Sequence, residues 1–120
     1  MSRWFLLLAI LFLGEAAAAP TPAPLRAEID ALLTRLESSG CRFNRNGTWY
    51  PAAEAKAHLL KKLAYIERRG TLVSTEQFVE TAASKSSTSG KPYLVQCAGA
   101  DAVQSQAWLS AQLRSLRSGQ

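Results

Sequence analysis

The sequence predicts an α+β fold that is mostly α, with about four helices, a small hairpin or short strands, and one disulfide. Apolar residues recur at helical spacing in several separate segments of the chain. An Asn-Gly pair stands between two short runs of apolar and β-branched residues, which is typical of a hairpin turn. The chain has two cysteines, an even number that in a secreted protein indicates one disulfide.

The first residues are typical of a secretory signal peptide. Arg3 supplies positive charge, residues 4–13 are an unbroken apolar run, and small residues follow as far as Ala19. The apolar run is shorter than the about 20 residues that a membrane-spanning helix needs. Ala16 and Ala18 suit the positions before a cleavage site. We therefore expect a signal peptide at 1–18, a periplasmic or secreted protein, and no transmembrane segment after its removal.

The mature chain divides into a Pro-rich spacer (19–24), one small globular domain (25–117) and a frayed tail (118–120). The formal net charge of the 120-residue chain is +5. This charge favours an anionic envelope polymer or an acidic protein as partner, although solubility alone also explains it. The sequence does not identify a partner, and it predicts no specific nucleic-acid binding.

The first predicted helix begins near Leu25 and ends before Gly40. A hairpin turning at Asn46-Gly47 follows, and a second helix runs from Pro51 to Gly70. Ser74 begins a capping box that starts a third helix. Residues 93–97 form a short strand, and Asp101 caps the last helix. The predicted core positions are Leu25, Ile29, Leu32, Leu33, Leu36, Ala52, Ala55, Leu59, Leu63, Ile66, Ala102, Leu109, Leu113 and Leu116.

The two cysteines, Cys41 and Cys97, can form only one intramolecular pair. A structural disulfide is the favoured interpretation, since a redox pair would be expected at Cys-x-x-Cys spacing, which is absent. Such a bridge would stabilise a domain whose core is small.

Residues 84–93 are rich in hydroxyl and ammonium groups and contain one glycine. Such a segment is either a polar loop or a loop that presents donors to an anion. The binding hypothesis places a site there and includes a cation of the hairpin turn and the one histidine of the chain. Its residues are Arg45, His58, Ser84, Lys85, Ser86, Ser87, Ser89, Lys91 and Tyr93.

A second hypothesis is an envelope hydrolase that uses Glu54 and His58, which lie four residues apart on one helix. The same spacing also produces ordinary surface pairs, so the sequence favours a binding module over an enzyme and assigns no catalytic residue. One histidine, two paired cysteines and scattered carboxylates do not supply a metal-ligand set, and no cofactor is predicted. A purely structural envelope protein is a third hypothesis.

Several motifs together resemble the YfeK-like family of small secreted bacterial proteins of unknown function. They are Ser39-Gly40-Cys41-x-Phe43-x-Arg45-Asn46-Gly47, Ala55-x-x-His58-Leu59-x-x-Lys62, the segment from Ala83 to Tyr93, and Trp108-Leu109. The resemblance implies an exported bacterial protein and assigns no chemistry. Ser89-Gly90-Lys91-Pro92-Tyr93 also resembles the Ser-Gly-x-x-Tyr pattern of periplasmic lysozyme inhibitors, but a positively charged domain would repel a basic lysozyme.

Overall fold

The computed structural model describes residues 20–119, which form four helices and one four-stranded antiparallel sheet. In chain order the elements are α1 (Ala23–Ser38), β1 (Arg42–Arg45), β2 (Thr48–Pro51), α2 (Ala52–Glu67), α3 (Thr75–Ala82), β3 (Leu94–Gln96), β4 (Val103–Gln104) and α4 (Ser105–Arg117). The predicted fold class is confirmed. The predicted signal peptide (1–18) lies outside the described residues. Within residues 20–119, no helix combines the length and the apolar character needed to cross a bilayer.

Helix α1 lies at the centre of the helical layer and contacts the other three helices. Its predicted apolar face is buried, and the fully covered residues are Ile29, Leu32, Leu33 and Leu36. The helix begins at Ala23, two residues before the predicted start at Leu25. Pro24 fits the first turn because the N–H groups there have no partner within the helix. Residues 23 and 24, predicted as spacer, therefore belong to α1.

Strands β1 and β2 form the predicted hairpin, with Arg45 paired to Thr48 across the turn. Asn46 and Gly47 have φ angles of 53° and 86°. Positive φ at both central residues is the requirement of a type I′ turn, which explains the Asn-Gly pair. The buried side chain of Asn44 supports the turn by accepting a hydrogen bond from the Gly47 N–H at 3.1 Å.

The starts of α2 and α3 follow the sequence pattern closely. Pro51, predicted in the first turn of α2, is the N-cap residue, and the helix begins one position later at Ala52. Ser74 caps α3 by accepting a hydrogen bond from the Gln77 N–H at 3.0 Å. The Gln77 side chain reaches back as predicted, but it accepts from the N–H of Val73 instead of Ser74. The buried face of α2 consists of Ala52, Ala55, Leu59 and Leu63.

The observed start of α4 differs from the sequence prediction, which placed the helix cap at Asp101. Asp101 does not cap this helix, which begins at Ser105 after an uncapped Gln104. Ala102, predicted as a core residue, is exposed. Residues 103 and 104 pair with β3 instead, and the Ser105 N–H donates to the carbonyl of Tyr93 at 2.8 Å. These backbone bonds to β3 hold the chain extended, so the helix cannot start at Asp101.

The disulfide between Cys41 and Cys97 is present, as predicted. It joins the residue before β1 to the residue after β3, and these two strands are neighbours in the sheet. The bridge therefore connects the hairpin to the strand that follows residues 84–93. Phe43 and Val95 face each other across the same strand pair and are buried under the helices.

Candidate functional site

Residues 84–92, which we call the Ser/Lys loop, form a closed, hydrogen-bonded turn. The Tyr93 N–H donates to the carbonyl of Ser84, and the Ser86 N–H donates to the carbonyl of Lys91, both at 2.9 Å. The Gly90 N–H then donates to the carbonyl of Ser86 at 3.0 Å, with φ of Gly90 at 76°. The loop is thus held by its own backbone, and the glycine accommodates a conformation that other residues rarely adopt.

Four of the five hydroxyls of the Ser/Lys loop form hydrogen bonds within the protein. Ser86 is buried, and its Oγ contacts the Thr88 hydroxyl at 3.1 Å and accepts from the Ser89 N–H at 3.2 Å. Asn46 of the hairpin turn joins this network by donating from Nδ2 to Ser86 and accepting at Oδ1 from the Ser89 hydroxyl. The Ser84 hydroxyl donates to the carbonyl of Val79. The loop and the hairpin turn are therefore connected through both polar atoms of one asparagine.

Beneath the loop, three polar side chains form a hydrogen-bonded chain. The Lys62 ammonium donates to the Tyr93 hydroxyl at 3.0 Å, and that hydroxyl lies 3.3 Å from Nε2 of His58. Lys62 also donates to the carbonyl of Lys85, which attaches α2 to the Ser/Lys loop. The tyrosine is only 2% exposed, and its ring packs against Phe43 with centroids 5.1 Å apart. The chain is thus anchored at its centre by a buried ring.

An open cavity of about 230 Å³ lies between α2 and the hairpin. Its charged and titratable lining side chains are Arg45, Tyr50, Glu54, His58 and Lys61, and Phe43, Ala55 and Ala57 complete it. The Arg45 guanidinium lies over the Tyr50 ring, 4.9 Å from its centroid. This volume is below the ~300–1,000 Å³ typical of drug-sized ligands, so it suits a small group or one end of a larger molecule.

The cations that line this cavity, Arg45 and Lys61, and the neighbouring Lys62 form no ion pairs in the described part of the chain. Within residues 20–119, neither Arg45, Lys61 nor Lys62 has a carboxylate within 4.0 Å. Burial, and then the charges of Arg45, Lys62 and Lys61, lower the pKa of His58 from 6.5 to about 4. Burial and Arg45 also lower the pKa of Lys62. His58 is therefore neutral at pH 7 and lies in a positive field.

The pKa of Tyr93 moves in the opposite direction to those of its two partners. Burial raises it, and the positive charge of Arg45 offsets part of that rise. The hydroxyl therefore keeps its proton at neutral pH, since the ordinary pKa of a tyrosine is about 10. A protonated phenol between an ammonium and a neutral imidazole can donate one hydrogen bond and accept others.

The structure brings together some of the residues predicted for a site and separates others. Tyr93 contacts His58, which lines the cavity together with Arg45. The hydroxyls predicted as ligand donors, those of Ser84, Ser86 and Ser89, already have protein partners. The predicted residues Lys85, Ser87 and Lys91 have exposed side chains.

Two cations of the site, Lys61 and Lys62, were missing from the predicted site residues. They follow His58 by three and four positions, a spacing that places residues on one side of a helix and could have identified them. Glu54 of the hydrolase hypothesis also lines the cavity, but within residues 20–119 no hydrogen bond joins it to His58. The same part of the chain contains no cluster of three His, Cys, Asp or Glu side chains that could hold a metal ion.

The comparisons with known proteins agree with the resemblance drawn from the motifs. The model of a family of unknown function, DUF5329, matches residues 23–117. The curated "Uncharacterized protein YfeK" of Salmonella typhimurium is 40% identical over 68 residues, 56% of this chain and 55% of that protein. The chain thus spans about half the length of the curated relative that it matches. No solved structure matches the chain.

Proposed function

Since the chain belongs to DUF5329, a family of unknown function, we propose its function from its own site: it is an exported module that binds an anionic ligand. The disulfide fits an exported protein, because such bridges persist in oxidising compartments. The proposed ligand site is the cavity between α2 and the hairpin, with Arg45, His58 and Lys61 as its donors.

The observation that carries this proposal is the excess of positive charge at the cavity, whose lining in the described chain has two cations, Arg45 and Lys61, and one carboxylate, Glu54. Arg45 and Lys61 line it without a carboxylate within ion-pair distance in residues 20–119. By contrast, Lys56, on the same helix as Lys61, forms an ion pair with Glu37 at 3.0 Å. Cations that line one cavity without ion-pair partners favour an external anion, which lowers their mutual repulsion.

No residue of the Ser/Lys loop lines the cavity in the described part of the chain, but the loop holds in place the elements that do. The hydroxyls of Ser86 and Ser89 hold the loop to Asn46, the residue that follows the end of β1. The carbonyl of Lys85 holds Lys62 of α2. The loop therefore links the two elements whose side chains line the cavity, and its exposed cations extend the positive surface beyond it.

The test is binding of small anions and anionic envelope fragments, measured by calorimetry with the oxidised domain. Lys61→Ala should weaken the affinity about tenfold, because a hydrogen bond to a charged group contributes about 1.5–3 kcal/mol. The side chain of Lys61 is exposed, so its removal should leave the fold intact. Arg114→Ala is the matched control, since it removes one exposed cation from α4 and should bind normally.

The double variant Lys85→Ala/Lys91→Ala separates the cavity from the loop. If it abolishes binding while Lys61→Ala does not, the ligand lies on the loop, as the sequence alone suggested. If none of the cation variants changes the affinity of any anion that binds, the proposed site is wrong. A panel of anions without any measurable binding would contradict the proposed function itself.

A further inference from the structure

The hydrogen bonds around the Tyr93 hydroxyl determine where its proton lies. An ammonium group has only donors, so the hydroxyl accepts from Lys62 in the 3.0 Å contact between them. Its own proton then needs an acceptor, because the side chain is 2% exposed and largely shielded from water. Within residues 20–119, the one acceptor in hydrogen-bond contact with this hydroxyl is Nε2 of His58, at 3.3 Å.

An imidazole whose Nε2 accepts a hydrogen bond carries its proton on Nδ1 when it is neutral. His58 is neutral at pH 7, since burial and neighbouring cations lower its pKa to about 4. Its Nδ1 has no hydrogen-bond partner in residues 20–119. The N–H of that atom is therefore free to donate to a ligand.

We infer that Tyr93 and Lys62 are positioning residues that hold His58 in the tautomer with its proton on Nδ1. The inference rests on the proposed function and assigns a ligand class to the same cavity. With His58 as a donor, the cavity presents hydrogen-bond donors beside Arg45 and Lys61. Such a set suits an oxyanion without protons of its own, such as a phosphate or sulfate ester.

Glu54 adds a hydrogen-bond acceptor to this cavity. It is the one carboxylate that lines it within the described chain, and it only accepts hydrogen bonds when ionised. A ligand with hydroxyl groups on the carbons next to the ester could donate a hydrogen bond to this carboxylate. The ligand class is therefore a phosphorylated or sulfated hydroxy compound, bound by its anionic group at the cationic side of the cavity.

The experiment reads the tautomer directly, in the free protein at pH 7, from the ¹⁵N chemical shifts of the His58 ring. The expected spectrum has a protonated Nδ1 and an unprotonated Nε2. Tyr93→Phe keeps the ring against Phe43 but removes the hydroxyl, so both tautomers should become populated. The affinity for the anion should fall with the remaining Nδ1–H population, about fivefold if one fifth remains.

Tyr65→Phe is the control, because it removes a hydroxyl from an exposed tyrosine of α2, the helix that carries His58. It should leave both the His58 shifts and the affinity unchanged. Separate titrations with methyl phosphate and methyl sulfate decide which ester is the ligand chemistry. Binding of either, together with the expected tautomer, supports the inference.

A wild-type spectrum with the proton on Nε2 overturns the inference even if anions bind, and the proposed function then stands alone. The same holds if Tyr93→Phe changes the tautomer but not the affinity. If the protein shows the expected tautomer and binds neither ester, the ligand assignment fails, and the proposed function fails with it only if the wider panel of anions also shows no binding. The wild-type spectrum needs no variant, so the test does not depend on the folding of Tyr93→Phe.

Discussion

The free energy of unfolding should fall as the pH is lowered from 7 to 5, and His58 should be the cause. Its pKa is about 4 in the folded protein and 6.5 as the ordinary value for an unfolded chain. Between these values the unfolded state binds more protons than the folded state. Stability is therefore lost as the pH falls through this window, and the loss is complete below the folded pKa.

The size of the effect follows from the two pKa values. With these two pKa values, the extra proton bound by the unfolded state lowers the free energy of unfolding by about 2 kcal/mol between pH 7 and pH 5. His58 is only partly buried, and water screens part of the field of its neighbours. We therefore expect about half of that figure, or about 1 kcal/mol.

The assay is urea unfolding of the oxidised domain at pH 7, 6 and 5. His58 is the one histidine of the sequence, and the ordinary pKa of histidine lies inside this window, so the slope reports mainly on this side chain. His58→Gln should remove the slope. The reasoning is refuted if the wild type shows no slope, or if the variant keeps it.

Two further predictions concern the stability of the fold. Reduction of Cys41–Cys97, which are 56 positions apart, should cost about 4 kcal/mol and lower the melting temperature by about 20 °C. Calorimetry with and without reductant checks this, and coincident melting curves would contradict it. Arg117 forms ion pairs with Glu28 and Glu76, and its contact lowers the pKa of Glu28 from 4.5 to about 2. In Arg117→Met, NMR should show the pKa of Glu28 rising towards its ordinary value, and the protein should lose about 0.5–1 kcal/mol of stability at pH 7. An unchanged titration would contradict this and would show that the hydrogen bond from Thr75 is enough to keep the pKa of Glu28 low.

The elements predicted correctly are those whose signals are local. The Asn46-Gly47 turn needs positive φ at both residues, and few other dipeptides tolerate it. Ser74 caps α3 by a bond to a residue three positions away. In each case the interaction lies within one turn of the chain, so its residues are adjacent in the sequence.

The start of α4 was predicted wrongly because the deciding interaction is not local. Asp101 is a good cap by composition, but the backbone from 103 to 105 pairs with residues 93–95 of another segment. The loss of these bonds would leave buried backbone groups unsatisfied, which a side-chain cap does not compensate. Pairing between strands depends on the tertiary arrangement and leaves little trace in residues 101–105.

The candidate site shows the same division. The sequence by itself determined which residues could carry charge and hydrogen bonds, namely Arg45, His58, Tyr93 and the polar residues of 84–91, and that the two cysteines pair. Only the tertiary structure decided which of these groups are free. It brings the Ser86 and Ser89 hydroxyls against Asn46, and it brings Lys62 and His58 against one buried phenol. Composition fixes the available donors and acceptors, whereas their partners depend on distances between segments that are far apart in the chain.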